Sequence, residues 1–261
     1  MGGRELGVGY IVGCLFSILF WKIDRQKIFF IINNKLKSII PMKVIIEVLY
    51  LAFIVILYFF FDLITYNSEV INALVAFVIL DISNSERHNL GLKDKIKFYE
   101  SLSIMTKSLL CGFIAPLVLI IIFDSNYVGL IYFIIYNLRE LEEYWIFNRV
   151  FALITLIPSM VLQVLYYIIY IFRNKKFNID FKGDYFRNLL KDPILNLEIM
   201  GAYIESINFY YYFTFNDARY IKSYGSYNNR IDEACIRDYL SISYGIAFIF
   251  FMIFITINFL K

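Results

Sequence analysis

The sequence predicts an all-α, polytopic helical membrane protein. Hydrophobic residues make up 60% of the chain and charged residues only 18%, whereas soluble domains are closer to half apolar and a quarter charged. The mean hydropathy is +0.66. Apolar runs alternate with short polar segments that hold the basic residues, as in loops that stay in the cytoplasm. We expect about five spans, with broken or re-entrant helices and cytoplasmic loops, in a single domain over residues 1–261.

The first three apolar runs predict spans of unequal length. Leu6–Trp21 is short, and its glycines would allow close contact with another helix. The basic segment after it should face the cytoplasm. Val44–Ile64 has about the 20 residues that a bilayer requires, with Glu47 near one end. Val70–Ile82 is only marginally long and leads to a second basic segment, which brings the chain back to the cytoplasmic side.

The later runs predict four more helices: Leu109–Phe123, Tyr127–Leu138, Ile146–Phe172 and Leu240–Leu260. The acidic-basic cluster Arg139–Glu143 before Ile146–Phe172 should lie in the cytoplasm, and so should Arg173–Lys191 after it, which holds six basic residues, but a single crossing cannot leave both flanks there. Either this run turns back at Pro158, or one of the two preceding runs does not span. Proline in an apolar helix leaves a carbonyl that neighbouring protein or water must satisfy. We therefore expect a broken or re-entrant element at Pro116 or Pro158.

Charge and cysteine usage exclude several classes of function. The net charge is only +3, and the basic residues lie in loops, which argues against nucleic-acid binding. The three cysteines lack the paired spacing of metal sites or disulfide frameworks. His88 is the only histidine, so catalytic or zinc sites that need two imidazoles are excluded.

The densest charged cluster beside an apolar run holds Arg139, Glu140, Glu142 and Glu143. Ionisable groups near membrane depth are costly and often functional. Residues three or four apart share a helix face, so these carboxylates could hold a divalent cation. Alternatively, they pair with the neighbouring arginine in a solvated turn beside the membrane.

Several short strings follow one another at regular distances. Gly112 and Ala115-Pro116-Leu117 are followed about twenty residues later by Asn137-Leu138-Arg139-Glu140, and then by Arg149 and Ile157-Pro158. The strings that flank them are Arg87-His88-Asn89-Leu90-Gly91-Leu92-Lys93-Asp94 upstream and, downstream, Asp192-Pro193-Ile194-Leu195-Asn196, Glu198, Met200-Gly201-Ala202 and Tyr211-Tyr212.

In order and spacing these strings, within residues 83–240, resemble those of the CobD/CbiB family, the integral-membrane adenosylcobinamide-phosphate synthases of cobalamin biosynthesis. The chain departs from the family pattern where Lys107-Ser108, Cys111 and Phe151-Ala152 replace carboxylates and amides. The resemblance implies ATP-dependent amide-bond formation between adenosylcobyric acid and aminopropanol phosphate. It also implies Mg²⁺ and ATP as cofactors, a corrinoid substrate, and a site on the cytoplasmic side of the cell membrane.

The resemblance implies three groups of site residues. The expected catalytic residues are Glu140, Asn137 and Glu198; the residues that bind substrate or phosphate are Arg87, Arg149 and Asn196; the metal ligands are Asp94 and Asp192. Arginine is suited to phosphate because its guanidinium donates several hydrogen bonds in one plane. Carboxylates are suited to Mg²⁺ and to accepting the proton of the amine.

Two other functions stay open. The missing carboxylates would also fit a non-catalytic relative that serves as a membrane scaffold or partner of other corrinoid enzymes. Broken helices alone would also fit a small-solute permease, but a permease would need a relay of buried acids, and Glu47 alone does not make one.

Overall fold

The structure is a computed structural model that describes residues 7–63, 68–83, 97–141, 143–179, 193–205, 209–215, 218–224 and 233–260. These residues form ten α-helices, one π-helical turn and one β-hairpin. The elements are α1 (Val8–Leu19), α2 (Arg25–Ile39), α3 (Lys43–Leu63), α4 (Ser68–Ile79), α5 (Lys97–Leu109), the π-turn (Leu110–Ile114), α6 (Ala115–Phe123), α7 (Asn126–Arg139), α8 (Trp145–Asn174), α9 (Pro193–Ile204), β1 (Phe209–Phe215), β2 (Ala218–Tyr224) and α10 (Glu233–Leu260).

The helical membrane fold is confirmed. Four helical segments within the described ranges are long and apolar enough to cross a membrane: Lys43–Phe60, Ser101–Phe123, Trp145–Asn174 and Ala234–Leu260. Shorter apolar helices lie beside them, among them α1 and α4 with 12 residues each. A hairpin that was not predicted is also present, in which β1 and β2 pair antiparallel with Phe209 opposite Tyr224.

Helices α1 and α4 pack with their backbones in contact, as the glycines of the first run predicted. A Cβ atom at Gly9 would lie 2.1 Å from the Glu69 carbonyl oxygen, and one at Gly13 would lie 2.2 Å from that of Ala73. This is the close approach that small residues four apart allow between membrane helices. The Glu69 carboxylate accepts hydrogen bonds from the backbone N–H groups of Gly7 and Gly9, at 2.9 and 2.5 Å, and so satisfies the start of α1.

The polar residues of the bundle gather at two opposite ends. At one end, which we call the asparagine end, Tyr10 donates to the Asn126 side chain, which donates in turn to Asn72, both at 2.5 Å. Asn258 lines the same polar pocket. The opposite end, which we call the arginine end, holds Arg25, Asp81, Asn137 and Glu140.

A group of buried tyrosines connects three helices. The Tyr239 hydroxyl on α10 lies 2.9 Å from the Thr106 hydroxyl on α5 and 2.8 Å from the Tyr166 hydroxyl on α8. Helix α9 packs against this group through Gly201, where a Cβ atom would lie 2.6 Å from the Tyr239 hydroxyl oxygen. The hydrogen bonds satisfy polar groups that would otherwise be costly to bury.

Candidate functional site

The helical segment that contains Pro116 has a π-helical turn just before this proline. Proline has no N–H to donate to the carbonyl four residues earlier, which is that of Gly112. In the structure the backbone N–H of Asp81 donates to this carbonyl at 2.8 Å, from the chain just after α4. Residues Leu110–Ile114 widen into the π-turn, a feature frequent at functional sites. The helical segment Ser101–Phe123 thus continues through Pro116 with a π-turn, and α8 continues through Pro158 as one 30-residue helix, so neither proline breaks its helix.

A buried ion pair lies beside this turn. The Arg25 guanidinium is 3.1 Å from the Asp81 carboxylate, and the two side chains are only 8% and 12% exposed. Arg25 also donates to the Ser17 hydroxyl at 2.9 Å and to the Phe77 carbonyl at 2.7 Å. Charges are tolerated at such depth only when they are paired and hydrogen-bonded, so these contacts hold α1, α2 and α4 in register.

The ion pair and the π-turn enclose one small cavity of about 20 Å³. It is lined by Arg25, Gln26, Ile79, Asp81, Ser108, Gly112, Phe133, Tyr136 and Asn137. The Ser108 hydroxyl is buried and has no hydrogen-bond partner within the described part of the chain. A volume of this size holds one water molecule and no organic substrate.

Asn137 and Glu140 lie together at the end of α7, as expected from their shared string. Asn137 is buried, and its side-chain amide donates to the Phe133 carbonyl at 2.8 Å. Glu140 follows the last residue of α7, and its carboxylate accepts from Arg139 and, at 3.5 Å, from the Gln26 amide. Glu140 is therefore only partly exposed, with 17% of its side chain accessible, and lies beside Gln26, which lines the cavity.

The acidic cluster near Arg139 is paired. Glu140 pairs with Arg139, and Glu143 pairs with Lys37 of α2. Glu142 lies outside the described residues. The sequence was compatible with either a divalent-cation site or pairing with neighbouring basic residues. The described side chains show pairing. In the described ranges, no three or more His, Cys, Asp or Glu side chains are grouped to hold a metal ion.

Asn196 and Glu198 are both buried on α9, away from the cavity that Asn137 lines. The Ser103 hydroxyl on α5 donates to the Glu198 carboxylate at 2.5 Å. The structure therefore brings the site residues into two groups, one at the end of α7 and one between α5 and α9.

Arg149 joins neither group. Its side chain is exposed, and its guanidinium carbon lies 5.6 Å from the centre of the Trp145 ring. The structure does not bring it together with Asn137, because Phe147 and Phe151 direct the opposite face of α8 into the core. The other three predicted site residues, Arg87, Asp94 and Asp192, lie outside the described residues.

A second charged cluster joins the ends of α8, α9 and α10. Arg173 lies 3.0 Å from the Glu205 carboxylate and 2.5 Å from that of Asp238. Burial raises the pKa of Glu205 from 4.5 to about 7; Arg173 opposes this shift and Asp238 adds to it. Because the folded-state pKa is raised, folding favours the protonated acid. The contribution of Glu205 to the free energy of unfolding is fully present below about pH 4.5 and is lost as the pH rises through about 7.

The ion pair at the centre of the arginine end was not predicted from the sequence. Arg25 lies in the basic segment expected to set orientation, and Asp81 lies at the end of an apolar run. The signal that was present is an acid and a base at the ends of two short apolar runs, where unpaired charges would be costly.

Comparisons with known proteins leave the family unassigned. No family model, no curated protein and no solved structure matches the chain. Any functional conclusion therefore depends on the residues themselves and on where the structure places them.

Proposed function

We propose that the chain is a membrane amide synthase of the cobalamin pathway, which joins the carboxylate of adenosylcobyric acid to the amine of aminopropanol phosphate at the expense of ATP. One observation carries the proposal. Gly112 and Asn137 come from two separate strings of the family-like series, and both line the cavity at the arginine end. Glu140, from the second of these strings, is partly exposed and lies beside Gln26, which lines the same cavity.

The charges of the arginine end suit anionic substrates. Helix α2 begins at Arg25 in this end and carries the exposed Lys27 and Lys35. Basic residues of this kind favour the cytoplasmic side of the cell membrane, where ATP is available, and they attract phosphate-bearing molecules. The substrates would approach at the surface beside Glu140, since the cavity holds only one water molecule.

The described residues assign different roles to Glu140 and Asn137. Glu140 is a partly exposed carboxylate of the arginine end, and it would accept the proton that the attacking amine loses. Asn137 is buried one helical turn before it and would position the end of α7. Asn196 and Glu198, on α9, would support the site from the α5 side.

The described carboxylates do not form a Mg²⁺ site. Glu140 is paired with Arg139 and Asp81 with Arg25, so each has a cation beside it already. Mg²⁺ in ATP-dependent enzymes is usually held by one or two carboxylates together with the phosphates. Asp94 and Asp192, the ligands that the resemblance implies, lie outside the described residues.

A matched pair of variants tests the role of Glu140. Glu140→Gln removes the proposed base, and general-base catalysis contributes on the order of 10²- to 10⁴-fold. We expect a loss of ligation rate of that size in membranes supplied with adenosylcobyric acid, aminopropanol phosphate and ATP. Glu143→Gln removes a carboxylate three residues away that is likewise paired with a cation, and the rate should stay near that of the wild type. Equal rates for the two variants would refute the assignment.

One observation favours a non-catalytic scaffold as the second candidate. Both described carboxylates of the arginine end, Asp81 and Glu140, are held by arginines. A scaffold would need these pairs only for structure. Growth of a synthase-deficient strain that carries this chain would exclude the scaffold, whereas copurification with other corrinoid enzymes without growth would favour it.

A further inference from the structure

We propose that helix α8 lies along the membrane leaflet at the arginine end and does not cross the bilayer. By length it could cross, because 30 residues extend for about 45 Å. The contacts of its two ends, however, place both ends on the same side of the bundle.

The first end of α8 is fixed to α3. The backbone N–H of Ile146 donates to the Glu47 carboxylate at 2.8 Å. Glu47 lies three helical turns, about 16 Å, from Tyr58 on the same helix. Tyr58 packs on Tyr127 at the asparagine end, with 5.0 Å between ring centres. Helix α8 therefore begins well away from the asparagine end.

The last turn of α8 is fixed to the start of α10, through the ion pair of Arg173 with Asp238. Asp238 lies about 30 Å along α10 from Asn258, which lines the asparagine-end pocket. The two ends of α8 thus differ by about 14 Å in their distance from the asparagine end, while they are about 40 Å apart along the helix. Such a helix runs mostly parallel to the membrane plane.

The outer face of α8 has the chemistry of a helix in contact with phospholipid. Large apolar side chains are exposed at helical spacing along it: Leu153, Ile157, Met160, Val164, Ile168 and Phe172. Exposed cations lie towards its two ends, Arg149 near the first and Lys175 and Lys176 after the last turn. We assign this face to anionic phospholipids of one leaflet, with tails against the apolar stripe and phosphates beside the cations.

Labelling from the two sides of the membrane tests the arrangement. The native cysteines are first replaced by alanine, and single cysteines are then introduced at exposed positions: Trp145→Cys, Lys176→Cys, Lys27→Cys and Asp124→Cys. Lys27 reports the arginine end, and Asp124 reports the asparagine end. With an impermeant thiol reagent on oriented vesicles, we expect positions 145 and 176 to react from the same side as position 27. Reaction of positions 145 and 176 from opposite sides would overturn the proposal.

Tryptophan depth gives a second measurement that does not depend on replacing the cysteines or on enzymatic activity. The chain has two tryptophans, so Trp21→Phe leaves Trp145 as the only one. Adding Trp145→Phe and Ile157→Trp moves the single tryptophan to the middle of α8. We expect lipids with a quencher near the phosphates to quench positions 145 and 157 to a similar extent. Strongest quenching of position 157 by a group at the bilayer centre would show that the helix crosses.

Discussion

The close contact between Gly112 and Asp81 leads to a sharp prediction for Gly112→Ala. A Cβ atom at position 112 would lie 2.8 Å from the Asp81 carbonyl oxygen and 3.3 Å from its carbon. Both neighbours are backbone atoms, so no side chain can rotate away. The added methyl group must push the end of α4 from the π-turn and weaken the hydrogen bond from the Asp81 N–H to the Gly112 carbonyl.

The expected cost combines three contributions. Overpacking a tight site costs about 1–3 kcal/mol. Losing the hydrogen bond costs about 0.5–1.5 kcal/mol. Alanine recovers about 1 kcal/mol because it is a better helix former than glycine. We expect Gly112→Ala to lower the free energy of unfolding by about 0.5–3.5 kcal/mol, which for a chain of this size lowers Tm by about 2–4 °C per kcal/mol.

Gly245→Ala on α10 is the matched control, since no heavy atom lies within 4 Å of the Cβ position there. The same substitution should then be neutral or slightly stabilising. Thermal unfolding of the two variants in the same detergent gives the comparison. Equal Tm values for Gly112→Ala and Gly245→Ala would refute the claim that the π-turn requires a glycine against Asp81.

Three other perturbations test the packing around the site. Arg25→Met removes the partner of a buried carboxylate and should lower the free energy of unfolding by about 3–5 kcal/mol, and adding Asp81→Leu should restore most of it; no recovery in the double variant would contradict the pairing. Glu205→Gln should flatten the pH dependence of stability, with the wild type losing up to about 3 kcal/mol relative to the variant between pH 4.5 and pH 8; parallel Tm curves would contradict the raised pKa. Gly201→Ala should lower Tm because its methyl group meets both the hydroxyl and the ring carbons of Tyr239; a Tm equal to that of the wild type would contradict this packing.

Local sequence signals were sufficient for two packing features. Pro116 indicated that a backbone carbonyl in its helix has no helical N–H donor. In the structure this is the Gly112 carbonyl, and the Asp81 N–H donates to it. The glycines of the first apolar run indicated a close helix contact, which α4 provides at Gly9 and Gly13. Both features follow from the covalent structure of one residue type, proline or glycine. They can therefore be predicted from the sequence alone.

Other features depend on which distant segments meet, which a single sequence does not record. The pairing of Arg25 with Asp81 joins residues from different apolar runs. The charged flanks of Ile146–Phe172 suggested that this run turns back at Pro158 or that a preceding run does not span, but α8 continues through this proline and its two ends contact Glu47 and Asp238. Arg149 points away from the site because Phe147 and Phe151, on the opposite face of α8, are buried in the core. The sequence spacing of Arg149 does not show this.

Amide ligation by two asparagine variants tests the central proposal most directly. Asn137 and Asn258 make the same bond at opposite ends of the bundle, each donating its side-chain amide to the carbonyl four residues earlier, at 2.8 and 2.9 Å. We expect wild-type membranes to form the ATP-dependent amide product. Asn258→Ala should retain the rate, and Asn137→Ala should lose about tenfold or more, the equivalent of about 1.4 kcal/mol in the barrier. No product from folded wild-type protein, or equal rates for the two variants, would contradict the proposed function.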